Sequence, residues 1–191
     1  MANELKYGDR IHLQNGYQNG QGGYLDSNGN AGYAGAKYGV STADSPNRAK
    51  GTGTWEILSA SGKASGQPVR SGDLIYLRNL YGGDGGYLDT NSAATDGQQQ
   101  AGARWDVTTS QAKDRATGTG RWRIFAQTSS PADQQVRFGD TVLLWNTYGD
   151  HGGFLETNGA GPAEGKYDVC VNAYYNRTGN VADWKIQAAR T

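Results

Sequence analysis

Three sets of polar and aromatic side chains recur along this chain at matched spacing. Asn15 is followed by Tyr17, Asp26 and Asn28. Asn79 is followed by Tyr81, Asp89 and Asn91, and Asn146 by Tyr148, His151, Glu156 and Asn158. A carboxylate accepts two hydroxyl hydrogens, and an asparagine amide both gives and takes hydrogen bonds. An aromatic ring covers the C–H face of a pyranose. Each set therefore has the chemistry of a shallow sugar subsite, and the largely neutral side chains suit a neutral ligand. Three such subsites would gain avidity on a dense glycan surface without any new contact. The same residue types are also ordinary turn formers, so a purely structural role stands beside the functional one. The sets are unequal: the third has His151 in its loop and Glu156 where the others carry Asp, and the first has a longer loop, with Asn19 and Gln21.

These sets belong to longer repeats. A Gly-Asp pair begins at Gly8, Gly72 and Gly139, the aromatic of GGYLD or GGFLE is Tyr24, Tyr87 or Phe154, and a Trp-x-Ile closes each unit at Trp55, Trp122 and Trp184. Within each unit Ile11 and Leu13, Ile75 and Leu77, or Val142 and Leu144 alternate with period two, as on one face of a strand. A second strand runs through GYLD or GFLE. A third spans 38–42, 105–109 and 167–171, and a fourth holds the Trp-x-Ile. Glycine-rich links join them, and no segment beyond a turn or two has a helical stripe. Twelve short strands in three like units favour closure around a threefold axis over an open array or a three-bladed propeller. The expectation is an all-β chain, a β-trefoil with internal pseudo-threefold symmetry. It would be a single domain over 1–191, with repeats near 5–69, 70–136 and 137–191. Trp55, Trp122 and Trp184 are expected in the core, joined by Tyr24, Tyr87 and Phe154. Asp9, Asp73 and Asp140 are read as turn caps, and Arg48, Arg115 and Arg177 as loop anchors.

The YGD-x-hydrophobic-x-Leu start, the GGYLDT element and the late Trp-x-Ile resemble β-trefoil proteins, both ricin-B-like lectins and MIR-type trefoils. The resemblance spans about residues 5–188. It implies multivalent binding of galactose-type or mannose-type sugars, for which the thirteen residues of the three sets are the candidates. Gly53, Gly120 and Ala182 stand where the ricin-type lobe carries the Gln of its Gln-x-Trp element. The fold also hosts protein-binding modules of the protease-inhibitor, actin-bundling and toxin receptor-binding types, and this is the alternative reading. The loops 29–38, 92–104 and 128–136 are where such a module would differ between repeats.

Composition narrows the rest. Lys plus Arg and Asp plus Glu are 18 each, so no basic stripe supports nucleic-acid binding. Cys170 is the sole cysteine. It permits no internal disulfide, and with two histidines it falls short of the four ligands of a structural zinc site. One carboxylate per unit is too few for a calcium cage or for paired glycosidase chemistry. No nucleophile elbow, HExxH or Walker motif occurs, and YGGDGG (81–86) lacks the following helix of a phosphate loop. The expected protein is not an enzyme and uses no cofactor or metal. Its partners are glycans or glycoproteins, not nucleic acid, with no membrane insertion. Its location is cytoplasmic, or it is released without a classical signal peptide, since MANELKYGDR has no apolar stretch. Leu80, Leu143 and Trp145 are candidates for pairing with a second copy.

Overall fold

The period-two alternation emerges as twelve strands in the computed structural model, which describes residues 3–128 and 132–189. They are β1 (Arg10–Asn15), β2 (Tyr24–Asn30), β3 (Ala36–Ala43), β4 (Trp55–Ser59), β5 (Leu74–Asn79), β6 (Gly86–Ala93), β7 (Ala103–Ser110), β8 (Trp122–Ala126), β9 (Thr141–Asn146), β10 (Gly153–Ala160), β11 (Tyr167–Asn172) and β12 (Trp184–Ala188). Antiparallel pairing in the order β1, β4, β5, β8, β9, β12 returns to β1 and closes a ring. The remaining strands form the hairpins β2–β3, β6–β7 and β10–β11. Strands β3, β7 and β11 pair with one another in all three combinations and cap the ring. The chain is thus all-β and trefoil-like. Residues 129–131 of the 128–136 loop lie outside the described residues.

The repeated residues explain the closure. Ile11, Leu13, Ile75, Leu77, Val142 and Leu144 point inward with the three tryptophans, all at most 1% exposed. Each tryptophan ties the ring to a hairpin: the indole N–H groups of Trp55, Trp122 and Trp184 donate to the carbonyls of Leu25, Leu88 and Leu155, each at 2.9 Å. At the opposite end three backbone bonds run head to tail. Leu5 N–H donates to Val136 C=O (2.8 Å), Val136 to Val69 (2.9 Å) and Val69 to Leu5 (2.8 Å).

The Gly-Asp pairs make the turns that enter the ring. Gly8, Gly72 and Gly139 have φ of +94°, +93° and +93°, a region where a side chain is strained. Each following carboxylate accepts a backbone N–H: Asp9 from Lys6, Asp73 from Arg70 and Asp140 from Arg137, at 2.8–2.9 Å. These aspartates are turn caps, as the sequence indicates. Tyr24, Tyr87 and Phe154 differ from expectation. They are half-buried, because they lie on the outer face of the ring opposite Gln14, Arg78 and Trp145. His12 is buried, with Nδ1 2.7 Å from the Gly53 carbonyl. Leu80, Leu143 and Trp145 are half-buried, and Trp145 packs edge-on against Phe154.

Candidate functional site

The expected clefts within each repeat are not what the fold builds. Asn15, Asn79 and Asn146 are fully buried. Their amides donate to the carbonyls of Val181, Thr52 and Thr119 at 2.7–2.8 Å. Their side-chain oxygens accept the backbone N–H of Tyr17, Tyr81 and Tyr148 at 3.0–3.1 Å. Each asparagine is therefore a staple to the preceding repeat, with no amide left for a ligand. The carboxylates Asp26, Asp89 and Glu156 are also fully buried. They are enclosed because their strand partners are the central cap residues Ser41, Thr108 and Cys170. Each accepts from an arginine Nε at 3.1–3.2 Å: Arg48, Arg115 and Arg177 respectively. Burial raises all three carboxyl pKa values. The opposing pull comes first from the Thr52 and Thr119 hydroxyls at the two aspartates, and from Arg177 at Glu156. As a correction, these six residues form an internal brace rather than a ligand-facing surface.

What the fold does bring together lies between repeats. The asparagine staple carries the tyrosine two residues later over the repeat before it. Tyr81 meets Tyr38, Tyr148 meets Trp105, and Tyr17 meets Tyr167, with ring centroids 5.3–5.4 Å apart and planes at 74–84°. Such edge-to-face pairs are favourable beyond their buried area. The Tyr38–Tyr81 pair lines a cleft of about 370 Å³ with Asn28, Arg48 and Thr52. Tyr17 and Tyr167 line an equivalent cleft of about 220 Å³ with Asn158, Arg177 and Val181. Asn91, Arg115 and Thr119 hold the matching positions beside Trp105 and Tyr148. Thus Tyr81 joins Asn28, not Asn91, and Tyr17 joins Asn158. As a correction, Asn91 and Asn158 are themselves buried, their amides donating to the Ala34 carbonyl and to Glu156. His151 is exposed beside the Trp105–Tyr148 pair, where its carbonyl accepts from the Trp105 indole at 3.2 Å.

Sequence reasoning missed Tyr38, Trp105 and Tyr167 as site residues, and gave the arginines only an anchoring role. The signal was present as KY, RW and KY at 37–38, 104–105 and 166–167. It was hidden because each aromatic belongs to a different repeat from its partner. The arginines stand in a fixed pose. Each spends Nε on the buried carboxylate and Nη2 on the carbonyl of Ser27, Thr90 or Thr157. Nη1 is then directed elsewhere: on Arg48 it donates to Glu164 at 2.7 Å, while on Arg115 and Arg177 it has no partner among the described residues. Beyond the Tyr38–Tyr81 pair a shallow groove of about 800 Å³ is lined by Arg10, Lys50 and Arg78.

The long loops that follow β2, β6 and β10 also cross between repeats. Ala34 and Ala163 accept from Asn91 and Asn28. The 92–104 loop contains a helical turn capped by Thr95. It sends Gln98, 5% exposed, to the Asn158 carbonyl and to Asp168. Near the axis, burial pushes the Asp106 carboxyl up to about 6, with Asp168 adding to the shift. Cys170 is buried, and burial raises its thiol. No group of three or more potential metal ligands occurs among the described residues. No helix among them is long and apolar enough to cross a membrane.

No protein-family model matches the sequence, and no curated protein matches it either. Solved structures do resemble the fold. The SDF2-like protein from Arabidopsis thaliana superposes with a TM-score of 0.71 at 17% identity, covering 96% of this chain and 94% of that one. A Saccharomyces cerevisiae protein O-mannosyltransferase Pmt1–Pmt2 complex, bound to its sugar donor, gives 0.68 at 15% identity over 96% of this chain and 25% of that one. The binding domain of botulinum neurotoxin serotype D gives 0.66 at 16% identity, over 97% and 42%. At these identities the likeness is one of fold, and it places the chain among trefoil-like all-β structures.

Proposed function

We propose that this chain is a β-trefoil carbohydrate-binding module with up to three sites, one in each cleft between repeats, and that it binds without catalysis. The observation that carries this reading is the threefold recurrence of a cross-repeat aromatic pair beside an asparagine and an arginine. A purely structural pair has no need of a polar cleft at its side. Aromatic walls with a few fixed polar groups are the ordinary make-up of a small-molecule site, and aromatic rings suit the C–H faces of sugars. Trefoil-like neighbours that include a toxin binding domain agree with a binding role, although fold does not decide function. The lectin reading predicts agglutination of cells that a simple saccharide blocks. A glycan array read with wild type and Tyr17→Ala tests it. A flat array, or a response that Tyr17→Ala leaves unchanged, would count against it.

One observation favours a protein partner as a second reading. The third repeat alone carries exposed Tyr174 (66%) and Tyr175 (47%), and Tyr175 packs on Phe154 and, through it, Trp145. Exposed aromatics of this kind are enriched in protein interfaces. A partner retained in the presence of competing sugars and lost in Tyr174→Ser would favour this reading.

A further inference from the structure

The three arginines differ in what faces them. In the first cleft, Glu164 from the third repeat donates nothing and accepts from Arg48 Nη1 at 2.7 Å. Its loop is pinned in place. Ala163 C=O accepts from Asn28 Nδ2 (3.0 Å), and Lys166 N–H donates to Thr42 (2.6 Å). Glu164 itself holds φ of +64°, a backbone state that costs a non-glycine residue energy and persists only where its surroundings impose it. The side chain is 74% exposed, so the carboxylate reaches Arg48 from the solvent side, as a ligand would.

At the other two positions the arginine keeps the same pose without that carboxylate. Arg115 is covered on its aliphatic part by Gly35, where an added Cβ would come within 2.8 Å. Arg177 has Glu156 as its ion-pair partner, on the buried side. With Nε and Nη2 already fixed, Nη1 is a pre-oriented donor for an oxyanion, and charge-assisted bonds of this kind are the stronger class.

We propose that the clefts at Arg115 and Arg177 bind an acidic saccharide, its carboxylate or sulfate on Nη1 and its ring against Trp105–Tyr148 or Tyr17–Tyr167, and that Glu164 occupies the equivalent position at Arg48. This rests on the carbohydrate reading above and replaces the neutral ligand that the sequence suggested. The Glu164 side chain is 74% exposed, so water and salt screen the contact from its side, and the first cleft is masked by competition and not sealed.

The test is an NMR titration of the full chain with methyl glucuronide and methyl glucoside, read at the Nε–H signals of Arg48, Arg115 and Arg177. The glucuronide should shift Arg115 and Arg177, bind about tenfold or more tightly than the glucoside (about 1.4 kcal/mol) and weaken with salt. Glu164→Gln, which leaves every arginine–carboxylate brace intact, should add Arg48 to the responding set. Arg177→Lys should silence the third cleft alone; intact dispersion of its amide spectrum checks that it still folds. Equal binding of the two glycosides would overturn the acidic preference and leave the carbohydrate reading standing. No response to either glycoside would overturn both. An Arg48 signal that responds equally with and without Glu164 would overturn the masking.

Discussion

Two triplets repeat in this molecule, one behind the other. The inner one is the pair of a buried carboxylate with its arginine, and the outer one is the pair of aromatic rings. Both are written into the sequence three times with equal regularity. Yet the inner carboxylates are fully buried, while the rings are half-buried or, at Tyr81, 38% exposed. The inner triplet keeps its bonds within a repeat, and the outer one reaches across to the next. Repetition therefore marks positions that the threefold closure needs, and says nothing about which side of the wall they occupy.

If the inner triplet is a brace, its removal must cost far more than loss of a surface contact. Arg115→Ala leaves Asp89 charged and buried with its main cation gone, and breaking such a pair costs about 3–5 kcal/mol. The reverse change is milder, because Arg115 keeps 29% of its side chain in water and can be rehydrated. Asp89→Ala should therefore destabilise less than Arg115→Ala in urea melts, and an equal or opposite ranking would contradict the brace. Next in size comes Asn79→Ala. It strands the Tyr81 N–H and takes one donor from the Thr52 carbonyl, to which the Ser27 hydroxyl falls back, at about 1–3 kcal/mol for a buried group left unmatched. A melt unchanged by Asn79→Ala would return that residue to the surface role its spacing first suggested.

Acid titration sharpens the same contrast. Asp106 sits near 6 when folded against an ordinary 3.8, mainly through burial. The folded state therefore holds its proton more tightly than the unfolded chain. Its ionisation penalty is fully present above about pH 6 and is relieved as pH falls toward 4. Burial raises Asp26, Asp89, Glu156 and Asp168 in the same sense. Asp73 acts in the other direction: its desolvation is outweighed by Lys63, the Arg70 N–H and Tyr7. Asp106→Asn should stabilise the protein at pH 7 by about 1–3 kcal/mol and reduce the gain that wild type shows between pH 7 and pH 5. Parallel melting curves for the two proteins over that range would refute this assignment.

The ring strands, their inward faces, the core tryptophans and the Gly-Asp turns were legible because each depends on local alternation or on a single turn. The aromatic pairs were not, because Tyr81 is 43 residues beyond Tyr38 and lies in the next repeat. Reading Asn79, Tyr81 and Asp89 as one cluster followed chain proximity, whereas the Asn79–Thr52 bond turns the tyrosine away from its own hairpin. Glu164 was equally hidden, since nothing in GPAEGK shows that the segment will lie over Arg48. Burial of Asp26, Asp89 and Glu156 could have been suspected: each alternates with buried leucine in a strand whose partner closes the cap.

The outer triplet should give the smallest stability effect and the clearest functional one. Tyr17→Ala removes an edge-to-face partner of Tyr167 at a half-buried position, and such a pair is worth about 0.5–1.5 kcal/mol. The double change with Tyr167→Ala should show coupling of that size, because the rings touch each other across a cleft open to solvent. Saccharide binding at Arg177 should nevertheless be lost in either single variant, since both rings form the wall against which the sugar would lie. A large loss of stability in Tyr17→Ala would move this pair to the inner, structural class. The distinction between the two triplets would then reduce to depth alone.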